Sequence, residues 1–79
     1  MRRIKIIKSG PYRAIKIGEH IITPIRSGKY VFNLPKNTKV KSNGILGLHL
    51  GTIEDVKNIL SLTKEEVKEL EKLLATLKL

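Results

Sequence analysis

The chain has 79 residues, a formal net charge of +9 at pH 7, no cysteine and no tryptophan. That length gives one small domain with a thin core, and the missing cysteine excludes disulfides, thiolate metal sites and cysteine nucleophiles. No apolar run reaches the length of a membrane span and the charged start lacks a signal-peptide pattern, so the expected location is the cytoplasm.

Residues 2–8, rich in isoleucine, read as a first strand ended by Ser9-Gly10-Pro11. Residues 12–17 and 20–25 flank Gly18-Glu19, where glycine at the first central position suits a two-residue type II′ hairpin. Arg26 and Lys29 flank Ser27-Gly28, which reads as a second two-residue hairpin into a strand over 29–34. Pro35-Lys36-Asn37 marks a turn, and a short strand is expected over 38–41 before Ser42-Asn43-Gly44.

Leu46, Leu48 and Leu50 alternate with Gly47 and His49, the period of a strand. After Gly51 the period becomes helical: Thr52 caps a short helix over 53–60 with Asp55 near its N-terminus. Thr63-Lys64-Glu65-Glu66 is a capping box before a longer helix reaching about Leu77, with Val67, Leu70, Leu73, Leu74 and Leu77 as its apolar stripe. The expected fold is α+β: a small twisted antiparallel sheet or SH3-like barrel of about five strands, then a short and a longer helix. It forms one domain, with a basic β part over 1–50 and a helical part over 52–78.

Charge divides along the same line. Residues 1–44 hold eleven cations and one acid, Glu19, which is +10; residues 45–79 hold five lysines and six acids, which is −1. So large a local excess calls for an anionic partner, and the phosphates of nucleic acid are the first candidate.

The two tight hairpins fix a register and thus two faces. One gathers Tyr12, Ala14, Ile21, Thr23, Ile25, Tyr30, Phe32 and Leu34, with Lys16 its only charge, and is the expected core. The other gathers Arg13, Ile15, Ile17, His20, Ile22, Pro24, Arg26, Lys29, Val31 and Asn33, a basic rim around aliphatics. Opposed cations such as Arg26 and Lys29 destabilise a sheet unless an anion lies over them. Pro24 is unwelcome in a central strand and signals a bulge or an edge. The bland reading of this basic face is a solvated surface, or one covered by the first strand in a closed barrel.

The expected nucleic-acid contacts are Arg2, Arg3, Lys5, Arg13, Arg26, Lys29, Val31, Lys39 and Lys41. With Tyr12, Tyr30 and Phe32 buried by this register, exposed stacking platforms are lacking, which favours duplex DNA over RNA or single strands. A helix-turn-helix is disfavoured because the second helix begins with Glu65, Glu66 and Glu69. His20 and His49 have no metal-ligand spacing, and His49 reads as an outward strand residue. Ser9, Ser27, Ser42 and Ser61 lack an activating motif, and no glycine pattern cradles phosphate, so no enzyme activity and no cofactor are expected.

In layout and composition the chain resembles the small basic chromatin proteins of thermophilic archaea, which join a small barrel to DNA binding. Isoleucine and lysine enrichment and the lack of labile side chains fit a thermophile. The alternative function is a protein-interaction module, a regulatory or accessory subunit of cellular, viral or plasmid origin, docking through the aliphatic patch or the leucine helix. Two heptads of that helix also suggest a homodimer seam, although packing on its own sheet is the stronger expectation.

Overall fold

The computed structural model describes residues 2–25, 27–44 and 47–77. Strands β1 (Ile4–Ser9), β2 (Tyr12–Ile17), β3 (His20–Pro24), β4 (Tyr30–Asn33) and β5 (Leu48–Gly51) precede helices α1 (Ile53–Ile59) and α2 (Lys64–Leu77). The strands form one antiparallel sheet in sequence order, and it does not close into a barrel. The α+β class and both helices follow the sequence pattern. The expected strand over 38–41 does not form; that segment is irregular. No helix is long and apolar enough to cross a membrane.

Two turns set β1, β2 and β3. Ser9 pairs Tyr12 across Gly10-Pro11, and Ile17 pairs His20 across Gly18-Glu19. Gly18 has φ +58° and Glu19 does not have positive φ, the sign pattern of a type II′ turn.

The third turn differs from its expected form. The Ile25 amide donates to the Lys29 carbonyl (3.0 Å), the Gly28 amide donates to the Ile25 carbonyl (3.2 Å), and Gly28 has φ +78°. This is a three-residue loop with a left-handed glycine rather than a two-residue hairpin. Thr23 therefore pairs Val31, not Phe32, and Lys29 meets Ile25; the expected opposition of Arg26 to Lys29 involves a residue outside those described.

That one-residue slip exchanges the expected faces of β2 and β3, while Phe32 stays in the core as expected and Tyr30 and Leu34 pack against it. The core face carries Ile15, Ile17, Ile22 and Phe32, all fully buried, with Val56, Leu60 and Leu70 of the helical part against them. Burying each such side chain stabilises the fold by about 1.5–3 kcal/mol. Phe32 packs edge-on to His49, with ring centres 5.4 Å apart. His49 is thus a core residue, not an outward one. The leucine stripe of α2 lies on its own sheet, with Leu70 buried and Leu73, Leu74 and Leu77 packed around the core.

Both helices begin with capping boxes, Thr52 with Asp55 and Thr63 with Glu66. α1 ends in a Schellman turn: the Leu62 amide donates to the Lys57 carbonyl and the Ser61 amide to the Asn58 carbonyl. Ser61 holds the left-handed position at φ 52°, where glycine is usual.

Arg2 ties three elements together. Its backbone amide and Nε donate to Glu66 Oε2 at 3.1 and 2.9 Å, and Nη2 donates to Glu66 Oε1 and to the Leu60 carbonyl. The guanidinium and the Thr63 amide push the buried Glu66 carboxyl down to about 2.

At the opposite side of the sheet, Asn43 presents its side-chain amide to β5 as a strand would. Its Oδ1 accepts from the Leu50 amide at 2.7 Å and its Nδ2 donates to the Leu50 carbonyl at 2.9 Å. The Gly44 amide and the Ser42 hydroxyl both donate to the Leu48 carbonyl.

Candidate nucleic-acid interface

The β1–β2 hairpin concentrates unpaired positive charge. Its register opposes Lys5 to Lys16 and Lys8 to Arg13. Directly opposed like charges destabilise an antiparallel pair, and one hairpin carries two such pairs. Among the described residues only Arg2 and Lys57 reach a carboxylate in an ion pair, so none of the described acids neutralises these four cations.

Alternation puts the two pairs on opposite faces. Lys5 and Lys16 share the face that the helices leave open. Lys8 and Arg13 share the parity of the core face but lie beyond the core and are exposed.

Pro24 explains how they escape cover. In this ladder its missing N–H would have faced Arg13, and the β2–β3 pairing stops at Ile15 and Ile22. β1 and β2 remain paired to Ser9 and Tyr12. The hairpin end, with Lys8, Tyr12 and Arg13, thus extends past β3 as a two-stranded ribbon. Tyr12 is 65% exposed there.

The open face has its own pattern. The registers pair Ile7 with Ala14 and align Thr23, Val31 and Leu50, and alternation puts all five on this face. The next row holds Lys5, Lys16, Ile21, Asn33 and Leu48. Ile21 and Leu50 keep 38% and 36% of their surface exposed, while Ala14 is fully buried. Asn33 ties β4 to β3 and to the turn before it: its Oδ1 accepts from the Ile21 amide at 2.9 Å and its Nδ2 donates to the Glu19 carbonyl at 3.5 Å.

The residues expected from sequence fall into separate places. Lys5 and Val31 lie on the open face, and Arg3, exposed, continues the alternation beside the Gly18 turn. Arg13 stands on the projecting ribbon. Arg2 is held by Glu66 and is not available to a phosphate. Lys29 is exposed at the β3–β4 turn, and Arg26 lies outside the described residues. Lys39 and Lys41 are exposed in the connection between β4 and β5, where Lys39 borders an open groove with Arg2, His20 and Asn58. His20 is not part of a basic face; its Nδ1 sits 3.0 Å from the Asn33 carbonyl oxygen.

Lys8, Lys16 and Tyr12 join the site although the sequence reading did not assign them to it. The signal was present: a two-residue turn at Gly10-Pro11 forces Lys5 opposite Lys16 and Lys8 opposite Arg13. Among the described residues no cluster of three His, Asp or Glu side chains is placed to hold a metal ion. No family model, no curated protein and no solved structure matches the chain.

Proposed function

We propose that the protein binds nucleic acid without catalysis and without marked base preference, duplex DNA foremost, through the β1–β2 hairpin. The observation that carries this reading is the doubled like-charge pairing, Lys5 with Lys16 and Lys8 with Arg13, on a hairpin that no acid among the described residues pairs with. A phosphate lying between the members of each pair turns a repulsion into two attractions. Arg3 extends the set. A two-stranded ribbon also has a width that the major groove of B-DNA admits. Tyr12 adds one exposed aromatic, which supplies a single stacking contact rather than the succession of platforms that single-strand binders use.

Titrating salt against affinity for duplex DNA, single-stranded DNA and RNA tests this. With about five phosphates neutralised, log K falls against log salt with a slope of about −4 to −5 for duplex. A flat salt dependence, or no binding at low salt, overturns the reading. A single strand bound more tightly than the duplex retains the interface but transfers it to another ligand.

The aliphatic row on the open face favours a second reading, a protein-interaction module. Leu50→Lys with Val31→Lys separates the two: a nucleic-acid interface gains affinity from the added charge, whereas an apolar docking face loses its partner.

A further inference from the structure

β1 is an edge strand, and its outer hydrogen-bonding groups can be assigned. The Gly18 amide donates to the Arg3 carbonyl at 3.1 Å, and a two-residue turn makes Ser9 and Tyr12 a hydrogen-bonded pair. Residues 3, 5, 7 and 9 therefore turn their backbone groups toward β2. Ile4, Ile6 and Lys8 turn theirs outward, and no partner meets them among the described residues. Ile6 is 36% exposed at this edge although its side chain has the parity of the core face.

We propose that two copies of the chain join through this edge, antiparallel, with Ile6 on the twofold axis. That register pairs every outward group: Ile6 with its own copy, Ile4 with Lys8 of the partner subunit, and the reverse. It forms up to about six main-chain hydrogen bonds. It also suits the side chains. Ile6 meets Ile6 of the partner subunit on the core side, Lys5 meets the partner's Ile7 on the open side, and no lysine directly faces a lysine. The outer edge of β5 offers no such site, because residues 42–44 already occupy it.

The opposing force is charge. Each copy carries +9, and the axis brings both basic hairpins together. The area of a single strand edge is small, at the weak end of protein interfaces. Pairing therefore follows screening: it forms at high salt, or where a polyanion lies across both hairpins. The second condition, and only that one, rests on the nucleic-acid reading. A bound duplex then meets a doubled surface in which Lys5, Lys8, Arg13 and Lys16 of each copy flank a common axis.

The chain has no cysteine, so Ile6→Cys gives one reactive site, and a short bismaleimide reports its approach to its copy. Cross-linked dimer is expected at about 1 M salt, where the Debye length is about 3 Å. It falls several-fold at about 50 mM and recovers there on adding duplex DNA. Ser27→Cys, in the turn away from this edge, stays monomeric throughout. Ile6→Pro removes only an outward N–H and leaves the β1–β2 ladder intact, so it should sediment as a monomer at high salt where the native chain is a dimer. No Ile6→Cys product at either high salt or on bound duplex overturns the edge pairing, as does equal yield from Ser27→Cys. Dimer at high salt without recovery on duplex leaves the pairing standing and counts against the nucleic-acid reading.

Discussion

At the scale of single residues, Arg2 and Glu66 govern how the first strand and the two helices meet. The guanidinium satisfies both the carboxylate and the last carbonyls of α1, while the same carboxylate caps α2. Unfolding returns Glu66 to its ordinary value of 4.5 from about 2, so the unfolded chain takes up the proton first as pH falls. The stabilisation is complete above about pH 5 and disappears as pH drops toward 2. Discounted for the 35% exposure of Arg2, it amounts to roughly 2 kcal/mol. Glu66→Gln should lose about 2–3 kcal/mol in urea unfolding at pH 7 and show a flatter stability profile between pH 5 and 2. An unchanged acid limb would rule out this role. Ser61 is a second local test. It holds a left-handed φ that costs a side chain energy, so Ser61→Gly should raise stability by about 0.5–1 kcal/mol, visible as a higher urea midpoint with an unchanged slope.

Among the elements, the β1–β2 hairpin trades stability for charge. Lys16→Glu converts a repelling cross-strand pair with Lys5 into an attracting one, and should stabilise the protein by about 0.5–1 kcal/mol. The same change should lower duplex affinity several-fold at low salt and make the salt slope shallower. Affinity and stability moving in the same direction would contradict the proposed interface. Each strand that forms was marked by its turns; the Gly18-Glu19 register was read as it forms, and the turn at Gly10-Pro11, taken only as the end of the first strand, was equally readable. The third was not. Ser27-Gly28 fits a two-residue hairpin as well as a left-handed glycine closing a longer loop, and the strands on either side do not decide between them. Its single-residue slip moved Tyr12 from the expected core to the surface and Ile15, Ile17 and Ile22 from the expected surface to the core. The aliphatic content of the two faces of β2 carried the right answer: Ile15 and Ile17 outweigh Ala14 and Lys16. His49 misled for a related reason: the alternating leucines imply a core face, yet Leu48 and Leu50 lie on the open side, and Leu46 lies outside the described residues.

For the whole molecule, the fold converts a difference along the chain into a difference in space. Six of the seven acids belong to α1, α2 and their connection to the sheet, on the covered side. Residues 1–44, which carry strands β1 to β4, their turns and the start of the loop after β4, hold eleven of the sixteen cations. This polarity was legible from composition alone; its focus on one hairpin was not, because opposition of lysines is a property of register. Arg2 shows why cation counts mislead, since a buried glutamate far away in sequence claims it. The aliphatic row across the open face was also hidden, as its five members come from five strands.

The Asn43 amide on β5 has a consequence for assembly. A sheet with two bare edges can propagate without limit, each copy offering the next a template, and such polymers end as fibres. Here one side-chain amide imitates a peptide group and terminates the sheet on that side. Growth through β1 then stops at two copies, and the assembly is closed by Asn43 and its neighbours at 42 and 44, which never touch the axis.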